Sequence, residues 1–256
     1  MSLVGTFIFA IFILIKPNEV SAAPTVEQIA TELSQRLSAK DEEFTATMKI
    51  IEADGSNKER EMTVLRLSKE KNDHSLLVRM QRPQDLKGTA LLATLKGEKE
   101  DRWLYLPSSK QTRRLSGESG QGGILGSELN TEDFDFNRDQ KAKSNLKNEM
   151  SVDGKKYYIL ESDVNETSSN YSRVISFISA KEFLPMKFEC YDKKGKLLKI
   201  LNISSYKKVT STKWRAEKII IKNVQNNRGT EIVIKGVKIN QNLKSSRFTP
   251  KMLAED

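Results

Sequence analysis

The chain holds one cysteine and one histidine in 256 residues. A single Cys excludes an intramolecular disulfide. A Cys/His zinc site would have to use Cys190 and His74 together, with carboxylates supplying the rest. A Ser-His-Asp triad has only His74 to draw on. The glycine-rich stretch Gly117–Gly123 lacks the Gly-Lys-Ser/Thr ending of a phosphate loop, and no GxGxxG follows a strand pattern. Aromatics make up 7% of the chain, too few to build a stacking platform for nucleic acid. Most enzyme classes are therefore disfavoured, and neither a metal nor a cofactor is expected.

What is present begins with an uncharged apolar run, Leu3–Ile15. Its thirteen residues fall short of the roughly 20 that span a bilayer. Val20-Ser21-Ala22 follows after Pro17-Asn18-Glu19, as at a signal-peptidase site. The expectation is an export signal over residues 1–22 and a mature chain of residues 23–256 forming one domain. No Lys or Arg precedes the run, so retention as an N-terminal anchor is the alternative. No Cys lies near the site, which excludes a lipidated N-terminal cysteine. Loss of the signal leaves the formal charge at +9, because Lys16 and Glu19 leave together.

Thr25 opens an amphipathic helix in which Val26, Ile29, Leu33 and Leu37 share a face. Phe44, Ala46, Met48 and Ile50 then alternate with polar residues, which predicts a strand. Eleven further strands are expected over residues 62–67, 75–80, 89–95, 102–106, 111–115, 156–162, 173–178, 186–191, 197–204, 213–224 and 231–239. Hairpin turns fall at Asp54-Gly55, Asp153-Gly154 and Lys194-Gly195. Nothing reads as a βαβ crossover, so antiparallel meanders are expected. The last two strands are apolar on both faces: Trp214, Ala216 and Ile220 against Ile219 and Ile221, then Ile232 and Ile234 against Val233 and Val237. Both faces should then be covered, either in a closed sandwich or barrel core, or in a curved sheet whose concave face takes an apolar ligand.

Smaller features have plain structural explanations. His74 lies in the polar stretch Lys71-Asn72-Asp73 and is expected to be solvent-exposed. Cys190 alternates with Phe188 and should be a small buried hydrophobe. Glu132, Asp133 and Asp135 suit the N-terminus of a short helix over residues 131–136 better than a catalytic pair. Residues 187–222 carry eleven Lys/Arg and three acids, suited to an anionic membrane or an acidic protein, or simply to a solvated strand face. The glycine-rich stretch reads as a loop at a sheet edge that could act as a flap.

In order, the chain runs Arg82-Pro83-Gln84-Asp85-Leu86-Lys87-Gly88-Thr89-Ala90-Leu91-Leu92, Asp101-Arg102-Trp103-Leu104-Tyr105-Leu106-Pro107, Arg113-Arg114-Leu115, Gly126-Ser127-Glu128-Leu129 and Thr131-Glu132-Asp133-Phe134. Later come Tyr191-Asp192-Lys193-Lys194-Gly195-Lys196-Leu197-Leu198-Lys199 and Phe248-Thr249-Pro250 with Leu253. This succession resembles the outer-membrane lipoprotein-sorting (LolA-like) family, over nearly all of residues 25–255. Lys213-Trp214-Arg215-Ala216 departs from it, since relatives often place Gly or Pro near the Trp. The resemblance implies a mainly β (α+β) fold, an unclosed antiparallel β-barrel or strongly curved sheet with few helices on its concave side. It implies a non-catalytic, periplasmic carrier of lipoprotein or phospholipid acyl chains, working with an inner-membrane transporter or an outer-membrane acceptor and not with nucleic acid. An envelope adaptor acting with a membrane complex is the second reading and a secreted hydrolase the third. The expected lipid-binding residues are Phe44, Met48, Ile50, Val64, Leu76, Val78, Met80, Leu91, Trp103 and Tyr105, with Arg113 and Arg114 for gating or head-group contact.

Overall fold

The computed structural model describes residues 23–70, 73–97, 99–115, 123–134, 143–165 and 169–255. The export signal expected over residues 1–22 and the glycines from 117 to 122 lie outside these. Helix α1 (Val26–Leu37) starts where the sequence places it. The Thr25 hydroxyl accepts from the Gln28 backbone, and the Gln28 side chain accepts from the Thr25 backbone. This reciprocal box satisfies two N–H groups that the first turn leaves unpaired. Among the described residues no helix is long and apolar enough to cross a membrane.

Thirteen strands follow: β1 (Asp41–Ile51), β2 (Asn57–Glu70), β3 (Asp73–Arg82), β4 (Ala90–Lys96), β5 (Lys99–Leu106), β6 (Gln111–Leu115), β7 (Lys143–Val152), β8 (Lys155–Asp163), β9 (Arg173–Ser179), β10 (Pro185–Tyr191), β11 (Leu197–Lys208), β12 (Trp214–Asn223) and β13 (Gly229–Ile239). They form one antiparallel sheet in the order β6-β5-β4-β3-β2-β1-β13-β12-β11-β10-β9-β8-β7. Two meanders are thus joined through β1 and β13, where Met48 faces Ile232 and Ala46 faces Ile234. The edge strands β6 and β7 do not pair, so the barrel is unclosed. The three expected hairpin turns are present. Gly55 and Gly195 adopt φ of 84° and 74°, a region that side chains with a Cβ disfavour.

β7 is the strand that the alternation pattern misses. Its sequence, KSNLKNEMSV, has two large apolar residues besides the final Val, and Met150 and Val152 are exposed. An edge strand with little to bury carries little periodic signal.

The sheet curves strongly. Leu76 on β3 and Tyr206 on β11 line one small cavity. Five strand spacings separate them, about 24 Å on a flat sheet. Curvature defines an inner face, where Phe44, Met48, Val64, Val78, Leu91, Cys190, Ile203, Ile219 and Ile232 belong to a single buried cluster. Helix α1 lies on the same face over β8 and β9, with Ile29 and Leu33 against Tyr158, Leu160 and Ile178. On the outer face of β2–β5, Leu65, Leu67, Leu77 and Leu92 are covered by the C-terminal segment through Phe248 and Leu253. Arg79 clamps that segment by donating to the carbonyls of Met252, Leu253 and Glu255.

The expectation of full cover on both faces of the last strands is corrected. Val233 on the outer face of β13 is 38% exposed. β-branched residues suit a pleated strand whether or not they are buried, so two-sided apolar character overstates burial. His74 is also corrected: it sits in β3, half-buried, with Nδ1 2.8 Å from the Ser68 hydroxyl.

Candidate functional site

Register decides which side chains face inward. On β1 the residues Phe44, Met48 and Ile50 point in. β2 pairs with Phe44 opposite Val64, β3 with Val64 opposite Val78, and β4 with Val78 opposite Leu91. Eight of the expected lining residues, Phe44, Met48, Ile50, Val64, Leu76, Val78, Met80 and Leu91, therefore gather in the inner cluster. Trp103 and Tyr105 do not join them. On β5 it is Leu104 that lies opposite Leu91, whereas Trp103 lies opposite Leu92 and Tyr105 opposite Ala90. Both aromatics pack with the outer cluster beneath the C-terminal segment. Because a strand alternates with period 2, Leu91 and Trp103 cannot share a face in this register. Arg113 and Arg114 are exposed on the edge strand β6. Arg113 donates to the Gln111 side chain and Arg114 pairs with Asp101.

The inner face carries two polar centres besides its apolar surface. The first lies under residues 123–134, part of the connection between the two edge strands. Ile124 and Leu129 insert into the inner cluster. Around them the segment is tied down by charge. Lys199, in phase with Leu201 and Ile203, points inward from β11. Its ammonium donates to Asp133 Oδ2 at 2.7 Å and to the Glu128 carbonyl at 2.8 Å, with both side chains 2% exposed. The Tyr171 hydroxyl donates to the other Asp133 oxygen at 2.8 Å. Burial first, and then the Asp133 charge, push the Tyr171 phenol well above its ordinary range, so it remains a donor. Glu128 accepts from Asn223 and Arg228 at 2.7 and 2.8 Å, and its backbone N–H donates to Thr230. Glu132 accepts from Ser169 and from Asn170. The described members of the acidic group thus hold a segment in place, while Asp135 lies outside the described residues. Among the described residues no group of three or more His, Cys, Asp or Glu is arranged to hold a metal.

The second centre is at the opposite end of the inner face. Glu42 continues the inward phase of Phe44, and Arg66 lies directly across from it. Arg66 Nη2 donates to Glu42 Oε2 at 2.7 Å, and Arg215 Nε on β12 donates to Oε1 at 2.6 Å. Arg215 Nη1 donates to the Trp214 carbonyl, and Nη2 is buried with no hydrogen-bond partner. Nearby, Lys213 donates to the Gln35 carbonyl and to Ser38 at the end of α1. Burial and then the charge of Arg215 lower its pKa. Glu42, Arg66 and Arg215 border a cavity of about 50 Å³ whose walls are otherwise Leu37, Phe44, Leu76, Tyr206, Ala216, Ile219, Ile234 and Val237. That volume admits a few waters and is far below the roughly 300–1,000 Å³ of ligand pockets.

Sequence reasoning singled out Glu132 and Asp133 but not their partner Lys199, and it passed over the Glu42 centre, although strand phase carried a signal for both. Lys199 sits in the inward register of Leu201 and Ile203, and Glu42 in that of Phe44 and Ala46. A charge on the buried phase of a strand calls for a partner.

An unclosed antiparallel sheet curved around an apolar inner face, with a helix laid across it, is the architecture of solved lipoprotein-sorting and LolA-superfamily structures. A domain described as outer membrane lipoprotein-sorting, from Vibrio parahaemolyticus, superposes with a TM-score of 0.81 at 28% identity, covering 90% of this chain and 98% of its own. A DUF1329 family protein from Desulfovibrio piger gives 0.81 at 25% identity, covering 89% and 97%. A LolA superfamily protein from Nitrosomonas europaea, at 24% identity and a TM-score of 0.66, covers 89% and 98% and shares the fold. A family model described as "uncharacterized protein" matches residues 72–255, and the chain belongs to that family. No curated protein matches the sequence.

Proposed function

We propose that the protein is a non-catalytic carrier that takes up the acyl chains of lipoproteins or lipids on its inner face and delivers them toward the outer membrane. The observation that carries this reading is an apolar inner face covered by a segment, residues 123–134, whose anchorage is largely polar. Apolar burial is worth about 0.8 kcal/mol per CH₂, so a chain of about sixteen carbons cannot cross water bare. A carrier needs an apolar surface that shuts when empty, and ion pairs and hydrogen bonds can be exchanged for water when the cover lifts. The similarity to a domain described as lipoprotein-sorting supports the same reading.

On this reading residues 23–256 act as one acyl-binding domain in the periplasm, after an export signal over residues 1–22. An inner-membrane transporter or an outer-membrane acceptor exchanges the cargo. The test is native mass spectrometry with lipid extraction of protein isolated from its host envelope. The expected result is a co-isolated acyl species. No acyl species, with no uptake of a fluorescent fatty acid by the purified protein, would overturn the proposal.

A further inference from the structure

Two guanidiniums share the single carboxylate of Glu42 at one end of the apolar cavity. Glu42 and Arg215 are nearly buried, with side chains 6% and 11% exposed. Each Glu42 oxygen is used once, by Arg66 and by Arg215. Arg215 still has a buried Nη2 without a partner. Leaving a buried donor of a charged group unsatisfied is costly, and native proteins seldom do so without a use for it. Around this donor the cavity wall is apolar, through Phe44, Leu76, Ala216, Ile219 and Ile234. An oxyanion next to an apolar path describes the two ends of an amphiphile.

We propose that Arg215, with Arg66 beside it, is the head-group site for a single-chain anionic amphiphile whose tail runs along the inner face past Phe44, Ala216 and Ile219. This rests on the acyl-carrier reading and adds a polarity to it. The oxyanion lies at the Glu42 end, and the tail points toward the region now filled by Ile124 and Leu129. With Nε on Glu42 and Nη1 on the Trp214 carbonyl, Nη2 is the donor left for a carboxylate or a phosphate, and in a dry site such a charge-assisted bond is strong. The existing Glu42 contact orients the guanidinium and leaves Nη2 for the ligand.

The experiment compares three probes of equal chain length by displacement of a fluorescent reporter: palmitate, 1-palmitoyl lysophosphatidate and neutral 1-monopalmitoylglycerol. The parent protein is expected to bind the anions about tenfold or more tighter than the neutral ester. Arg215→Gln should lose that preference and keep its affinity for the ester. Tighter binding of the lysophosphatidate supports a phospholipid source for the head group, and tighter binding of palmitate a free fatty acid. Equal affinity of the parent for all three probes would overturn the inference and leave the carrier reading standing, whether or not the variant folds. A preference that survives in folded Arg215→Gln would also overturn it. Binding of none of the three would overturn both.

Discussion

Lys199 holds residues 123–134 to the sheet through a buried ion pair with Asp133 and a hydrogen bond to the Glu128 carbonyl. Replacement by Met would leave Asp133 buried without its cation, and breaking a buried pair in this way costs about 3–5 kcal/mol. Lys199→Met should therefore either unfold the protein at lower urea or free residues 123–134. Urea denaturation combined with limited proteolysis separates the two outcomes. A second replacement, Asp133→Leu, should restore part of the loss. Cys190, by contrast, is a buried thiol in the inner cluster, and Cys190→Ala should cost only about 1 kcal/mol in the same denaturation. The contrast between these residues shows what the sequence makes legible. Phe44 and Met48 could be read as inward because β1 alternates cleanly, whereas Val64 and Val78 share their strands with Leu65 and Leu77, which are buried on the other face. Trp103 could not, because Arg102-Trp103-Leu104-Tyr105-Leu106 carries large residues on both faces. Only the pairing of Leu104 with Leu91 settles which side turns inward.

Among the elements, residues 123–134 depend on a close approach. A Cβ on Gly123 would lie 1.6 Å from the Ser127 carbonyl oxygen, so Gly123→Ala must displace the turn that seats Ile124. The expected outcome is faster proteolysis within the segment at nearly unchanged sheet content by circular dichroism. The tie of Asp133 to Lys199 is not legible in the sequence. That tie joins residues 66 positions apart, and alternation reports a side chain's face without naming its partner. The C-terminal segment was legible only as a family-like ending, and its place over Leu65 and Leu92 came from the fold. Leu253 is fully buried there, and Leu253→Ala should lower stability by about 2–5 kcal/mol in urea. The hairpin between β10 and β11 gives a pH effect of fixed sign. Hydrogen bonds from Gln225, then from the Lys196 and Lys194 backbones, hold Asp192 below its ordinary pKa of 3.8. A carboxyl depressed on folding contributes stability above its unfolded pKa and loses it as pH falls through the folded value. Asp192→Asn should therefore flatten the decline in unfolding free energy below about pH 4 that the parent shows.

At the scale of the whole molecule, thirteen strands enclose an apolar face in a barrel that never closes, because β6 and β7 remain edges. Residues 123–134, which lie between those edges in the chain, pack on the inner face through Ile124 and Leu129 and take part in no strand pair of the described residues. On the proposed carrier reading, one molecule alternates between this arrangement and an open one that holds a chain. The most direct test is displacement of a fluorescent fatty acid from a matched pair of variants, each checked by a thermal melt. Ala216→Trp fills the inner cavity, and Trp103→Glu places a charge on the outer face beneath the C-terminal segment. The account predicts that folded Ala216→Trp loses about tenfold or more in affinity, while Trp103→Glu, even if less stable, binds like the parent wherever it is folded. Parent-like binding by folded Ala216→Trp, or loss of binding by folded Trp103→Glu, would contradict it.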